Sequence, residues 1–305
     1  MEILYFFESI RNPVLDTLML LLTKLGEETF FLILAMVIFW CVDKYKGYYM
    51  MSVGFIGILA SQFMKLWFRI PRPWVKDPEF TVVDGAKTHA GDYSFPSGHT
   101  QAAVCTYGSL ACSVKERWIQ VLCILAAFIV PITRLYLGVH TLLDVSVGAI
   151  LSLVFVFALR PLFMKDFSKS APWLMGFMIA AAIGYLCFVH LYPFPADVDA
   201  GNLASGMENG YTLLGAICGM VTVYFVDEKW LNFSTKATPW GNILKVTLGF
   251  ALVLGIKAGL KTPLNMLFGE LAGRSIRYFL MVAVAGIVWP LSFRYLATIG
   301  KKDKE

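Results

Sequence analysis

Apolar residues in this chain run in blocks rather than alternating or following a narrow helical stripe. The blocks fall near 27–43, 47–68, 98–114, 117–136, 141–160, 171–191, 210–226, 243–262 and 275–297. Each is close to the ~20 residues that an α-helix needs to cross the hydrocarbon core of a bilayer. The pattern predicts an all-α, polytopic integral membrane protein with nine full spans. A shorter apolar piece, 13–25, reads as a half-helix or a tilted helix, with a tenth span as the alternative. Residues 1–11 mix aromatics with Glu2, Glu8 and Arg11, which suits a helix lying at the membrane interface. Two polar connections are long: 69–97, with Pro71, Pro73, Pro78 and Pro96, and 192–209, with Pro193 and Pro195. There is no internal repeat. The stretch 161–170 (PLFMKDFSKS) reads as a seam between a first membrane domain, 1–160, and an additional C-terminal transmembrane region, 161–305.

Composition sharpens this. Of 305 residues, 58% are hydrophobic and 15% charged, with a mean hydropathy of +0.66. Soluble domains carry about 25% charged residues. A chain this apolar cannot be covered by polar surface, so soluble, disordered and secreted disulfide-scaffold classes are excluded. The net charge of +5 does not point to nucleic acid, because the basic residues sit between apolar runs rather than in one stripe. The six cysteines all lie inside apolar stretches without a CxxC pair and read as packing residues. The start, MEILYFFESIRNP, lacks the basic leading region of a cleavable leader, so none is expected. Loops carrying Lys44, Lys46, Lys115, Arg117, Arg160, Lys165, Lys169, Lys229, Lys236, Arg294, Lys301, Lys302 and Lys304 outweigh those carrying Lys24, Arg69, Arg72, Lys76, Lys87, Arg134, Lys261, Arg274 and Arg277. The first set is expected in the cytoplasm of a cell-membrane protein, which turns both Pro-rich loops outward.

Polar residues at membrane depth are costly and mark function. Three clusters stand out. Lys65-LWFRIP-Arg72-Pro73 closes the second span; by itself it is also compatible with basic side chains snorkelling to the headgroups. Pro96-Ser97-Gly98-His99 opens the third span, with a capping Ser, a Gly that admits a ligand, and free N–H groups suited to phosphate; the plainer alternative is a cap with an incidental histidine. Arg134-LYLGV-His140-TLL-Asp144 ends one span and opens the next, with His140 and Asp144 at i and i+4 on one helical face; a self-satisfied pair is the plainer alternative. By the predicted spans all three reach one membrane face. Three cations, helix-terminal N–H groups, two histidines and an Asp form a parts list for phosphoryl transfer. No acidic cluster with metal spacing accompanies them: Asp77, Glu79, Asp84 and Asp92 are scattered along the outer loop. No metal or other cofactor is expected. His89 lies outside any pattern, and His190 is expected deep in a span without a partner.

Together the clusters resemble the signature of the type 2 phosphatidic acid phosphatase family, which includes the lipid phosphate phosphatases and shares its site with the vanadium-dependent haloperoxidases. The matching residues are Lys65-x6-Arg72-Pro73, Pro96-Ser97-Gly98-His99 and Arg134-x5-His140-x3-Asp144, with Thr133 where the family usually has Ser. The resemblance covers about 13–160 and implies a six-helix phosphatase core followed here by about four additional helices. It implies that His140 forms a phosphohistidine, Asp144 orients it, and His99 is the general acid. It assigns phosphate binding to Lys65, Arg72, Ser97, Gly98 and Arg134. It further implies a metal-independent enzyme acting on lipid phosphates or diphosphates, of polyprenyl or phosphatidyl type, at the extracytoplasmic face. A phosphotransferase using the same intermediate, and less favourably a lipid-binding or transport protein, are the alternatives. In the C-terminal region Lys257, Lys261, Arg274 and Arg277 form a basic corner that reads either as a secondary headgroup site or as snorkelling and charge balance with Glu270.

Overall fold

The apolar blocks fold as helices, and no strand occurs among the described residues, which in this computed structural model are 1–89, 91–164 and 166–300. Lys165, Lys301, Lys302 and Lys304 lie outside them, as does the side chain of His89. In chain order the helices are α1 (Glu2–Ser9), α2 (Pro13–Thr23), α3 (Glu28–Cys41), α4 (Lys44–Phe68), α5 (Pro73–Lys76), α6 (Gly98–Ser113), α7 (Arg117–Tyr136), α8 (Leu142–Met164), α9 (Phe167–Leu191), α10 (Ala200–Val226), α11 (Pro239–Gly259), α12 (Lys261–Phe268), α13 (Glu270–Ala283) and α14 (Phe293–Leu296). Among the described residues, seven helical stretches are long and apolar enough to cross a membrane: Lys44–Lys76, Arg117–Tyr136, Leu142–Met164, Phe167–Leu191, Ala200–Leu231, Pro239–Gly259 and Glu270–Leu296.

Two expected spans fall short of that standard. Helix α3 has 14 residues and α6 has 16. For α6 the reason is visible in its packing. Thr100–Tyr107, Ser109 and Leu110 are all buried, against α7 and α8. A helix enclosed by protein needs no lipid-facing apolar surface, so its sequence can hold hydroxyls. Those hydroxyls donate back to their own helix, Thr106 to the Ala102 carbonyl, Ser109 to Cys105 and Ser113 to Ser109. The piece at 13–25 is the short helix α2 followed by a tight turn at Lys24–Gly26. At ~1.5 Å per residue it is too short to span.

The chain divides into two compact units. The first comprises Met1–Ala35, Tyr49–Phe167 and Pro193–Gly206. Its core is α6 with α7 and α8, and Tyr49 donates to the Val156 carbonyl at 2.6 Å. Helix α1 is tied to the 69–97 connection: Tyr5 donates to Asp77 at 2.8 Å, and the Thr81 amide donates to Glu8 at 3.0 Å. Arg11 donates to the Thr81 and Tyr136 carbonyls. The second unit comprises Met36–Tyr48, Ser168–Tyr192 and the chain from Met207. Lys44, expected among the solvated loop cations, is instead buried in an ion pair with Asp227 at 2.7 Å. Trp40 donates to the Ala285 carbonyl at 2.9 Å, and Lys245, fully buried, donates to Thr235 at 2.9 Å. His190 is not deep in a span. It is exposed at the end of α9, 3.3 Å from the Tyr211 hydroxyl.

Candidate active site

Local sequence explains how the site residues reach one end of the first unit. Helix α4 stops at Arg69, whose φ of 52° is left-handed, and Pro71 and Pro73 keep the chain extended behind it. Helix α7 stops one residue before a turn at Gly138, φ 77°. Glycine is required there twice over: the positive φ disfavours a Cβ, and a Cβ would lie 2.7 Å from the Arg11 guanidinium and 2.8 Å from the Phe80 ring. The turn places His140 ahead of α8, not on it, so the shared helical face expected for His140 and Asp144 is not formed. The cause is a capping box. The Asp144 carboxylate accepts from the Thr141 amide at 2.7 Å, and the Asp144 amide lies 3.4 Å from the Thr141 hydroxyl.

His140 is 2% exposed. Its Nε2 lies 2.9 Å from an Arg72 Nη1 that also donates to the Val139 carbonyl at 2.9 Å. Its Nδ1 lies 3.4 Å from the same Arg72 Nη1 and 3.7 Å from Asp144 Oδ2. Between Nδ1 and Asp144 stands Ser94, fully buried, which donates to Asp144 Oδ2 at 2.6 Å and lies 3.5 Å from Nδ1. Burial, and then the positive charge of Arg72, Arg134 and Lys65, hold His140 well below the ordinary imidazole range. The ring is therefore neutral, with Arg72 Nη1 within 3.4 Å of both its nitrogens.

Those cations converge on a carboxylate. Lys65 Nζ and Arg72 Nη2 meet the two oxygens of Asp92 at 2.7 and 2.6 Å. Arg72 Nε adds a bond to the Asp92 carbonyl and Lys65 one to the Tyr93 carbonyl. Burial alone would raise the Asp92 carboxyl, but Lys65 and Arg72 more than offset it and hold it well below the usual carboxylate range. Ser97 caps α6 with its hydroxyl 3.4 Å from the Thr100 amide, and its own amide donates to the Asp144 carbonyl at 3.0 Å. Nothing lies within 4 Å of where a Cβ would stand on Gly98. Arg134, 1% exposed, donates through Nη1 to Thr23 at 2.9 Å, while its Nε and Nη2 make no hydrogen bond. Arg134 and His99, half-buried in the first turn of α6, line one cavity of about 250 Å³. Among the described residues no group of three or more His, Cys, Asp or Glu side chains is placed to hold a metal ion.

Sequence reasoning missed Ser94 and Asp92. Asp92 read as one scattered loop acid, because only folding shows that both cations turn toward it. The box Thr141-x-x-Asp144 was a signal present in the sequence. In the second unit the basic corner is not assembled as expected. Helix α11 ends at Gly259, so Lys257 and Lys261 belong to different helices, both exposed. Arg274 pairs with Glu208 at 2.6 Å, and Arg277 is buried.

Residues 45–168 match the PAP2 superfamily, and residues 211–302 match the PAP2 superfamily phosphatase, transmembrane extension. Phosphatidylglycerophosphatase B of Bacillus subtilis is 30% identical over 164 residues, 50% of this chain and 76% of that protein. Undecaprenyl-diphosphatase BcrC of Bacillus subtilis is 28% identical over 148 residues, 48% of this chain and 74% of that protein. Dihydrosphingosine 1-phosphate phosphatase of Schizosaccharomyces pombe is 27% identical over 210 residues, 64% of this chain, and the match spans 50% of that longer protein. The crystal structure of a transmembrane PAP2-type phosphatidylglycerolphosphate phosphatase from Bacillus subtilis aligns with a TM-score of 0.47 and 28% identity, covering 54% of this chain and 84% of that one. The two family matches and the 30% identity to phosphatidylglycerophosphatase B agree with the motif spacing, and the chain belongs to the PAP2 superfamily.

Proposed function

We propose that this protein is a membrane lipid phosphate or lipid diphosphate phosphohydrolase that works through a phosphohistidine on His140. The observation that carries the reading is the seat of Asp92. Two buried cations already hold a pair of oxygens at 2.6–2.7 Å beside the Nε2 face of a neutral histidine. A substrate phosphoryl group that displaces Asp92 meets the same cations. Nε2 then attacks phosphorus while Lys65, Arg72 and Arg134 balance charge on the equatorial oxygens. His99 protonates the departing oxygen, and water afterwards cleaves the N–P bond to release inorganic phosphate. Ser94 and Asp144 hold the Nδ1–H tautomer that leaves Nε2 free.

The named activities of the relatives, all lipid phosphate or diphosphate phosphatases, support the substrate class. The bias of Lys and Arg toward the opposite loops supports a site on the extracytoplasmic face of the cell membrane. Residues 1–160 are proposed as the phosphatase core and 161–305 as an additional transmembrane region.

The test is phosphate release by the purified protein from polyprenyl diphosphate, phosphatidylglycerol phosphate and phosphatidic acid, in excess chelator. Release is expected to be undiminished by chelator. The acid limb of kcat/KM is expected below the ordinary imidazole value of 6.5, because the neutral form of His140 persists there. No release from any member of the panel overturns the reading. Ser94→Ala is expected to lower kcat about tenfold with KM little changed, the worth of one buried hydrogen bond to a charged group. An equal rise in KM with kcat intact would remove Ser94 from the tautomer relay.

A further inference from the structure

The second unit carries a buried charge that its own side chains leave uncompensated. Arg277, on α13, is 5% exposed, yet its Nε and Nη1 have no hydrogen-bond partner. The Tyr278 ring lies 5.7 Å from its Cζ, a contact that leaves both N–H groups idle. A buried guanidinium with idle donors is unfavourable unless an anion meets it. Glycines fix its surroundings. A Cβ on Gly219 of α10 would lie 3.0 Å from the Phe279 carbonyl, and one on Gly215 would overlap the Ser275 carbonyl. On the other side a Cβ on Gly273 would lie 2.7 Å from the Leu264 carbonyl of α12. Arg277 follows Gly273 by four residues and Arg274 by three, so it shares their face of α13.

Arg274 is committed to Glu208 of α10 at 2.6 Å, and its Nε, like the two donors of Arg277, has no partner. Glu208 cancels the charge of Arg274, which leaves the single positive charge of Arg277. Glu270, on the same helix, is exposed. Arg277 stands about 10 Å along α13 from its first residue, at ~1.5 Å per residue. Beside it, α12 turns Met266, Leu267 and Phe268 outward. None of these residues belongs to the cradle around His140.

We infer that Arg277, with Arg274 beside it, binds the phosphodiester of a singly charged membrane phospholipid, whose tails run along the apolar residues of α12. Basic pockets between membrane helices hold lipid headgroups in this way. The charge decides the class. One negative charge balances the one uncompensated cation, whereas a phosphate monoester approaches two negative charges at neutral pH and leaves an excess.

The experiment titrates delipidated full-length protein in detergent with dihexanoyl phosphatidylglycerol, a singly charged diester with no terminal phosphate to hydrolyse. Dihexanoyl phosphatidylcholine and inorganic phosphate are the comparison probes. Bound lipid is counted by native mass spectrometry, and Tm is followed in parallel. Phosphatidylglycerol is expected to be retained and to raise Tm, and the two comparison probes, at equal concentration, to do neither through Arg277. Arg277→Met is expected to weaken retention at least tenfold, the loss of one charge-assisted contact. The same variant is expected to raise the Tm of the lipid-free protein, because it removes an unpaired buried charge and keeps the volume. Arg277→Lys keeps part of the retention, and Glu208→Gln tightens it by freeing the charge of Arg274. Retention unchanged in Arg277→Met, or an Arg277→Met protein that is less stable without lipid or fails to fold, overturns the site. A rise in Tm that depends on Arg277 and comes from inorganic phosphate alone overturns the lipid and leaves an adventitious ion only.

Discussion

His140→Ala is expected to reduce phosphate release by on the order of 10⁴-fold or more, the scale seen when a nucleophile is removed from residues that act as a unit. The geometry separates this from a loss of fold. His140 sits in a turn whose path is set by Gly138 and by the Thr141–Asp144 capping box, none of which depends on the imidazole. Lys65 and Arg72 keep their partners on the 69–97 connection. The variant should therefore still bind inorganic phosphate, as measured by protection against thermal unfolding, while forming no acid-labile phosphoenzyme. His140→Gln, which refills most of the volume, should be equally inactive. Turnover by either variant within tenfold of the unaltered protein would remove His140 as the nucleophile.

Asp92→Asn is expected to tighten inhibition by inorganic phosphate on the order of a hundredfold, from the loss of two charge-assisted contacts that compete for the same cations. Asp92 meets Lys65 and Arg72 at 2.7 and 2.6 Å, and its side chain is 35% exposed, so it is near water and can swing outward. Any phosphate must displace it. An amide keeps the shape but gives up the charge. The same variant should show a lower KM for lipid substrate and a lower kcat, since product phosphate leaves a cradle with no internal rival. Inhibition by phosphate that weakens in Asp92→Asn would show that the carboxylate organises the cations rather than competing for them.

Much of this site was legible in the sequence because it is built at helix ends, where motif spacing and element boundaries coincide. Lys65 and Arg72 flank the stop of α4, Ser97 caps α6, and Arg134 and His140 bracket the α7–α8 turn. What was not legible came from long-range pairing. Ser94 and Asp92 act through groups tens of residues away in the chain, and no local periodicity encodes that. Two of the nine expected spans, α3 and α6, are shorter than the length that marks the other seven, for a related reason. Hydropathy reports how apolar a segment is, while the need to be apolar depends on whether its neighbours are lipid or protein. The C-terminal basic corner read as four cations on two helices. Arg274 instead joins Glu208, and the helix is interrupted at Leu260, between Lys257 and Lys261.

The enclosure of α6 also bears on how the protein is made. A segment of 16 residues with Thr100, Gln101, Thr106, Ser109 and Ser113 has little reason to partition from the insertion machinery into lipid by itself. Its partners α7 and α8 follow it in the chain and are strongly apolar. Insertion of the helix that carries Ser97, Gly98 and His99 is thus a collective event that waits on the synthesis of what comes after it. A chain that stops before α8 leaves α6 without the helices that bury its hydroxyls.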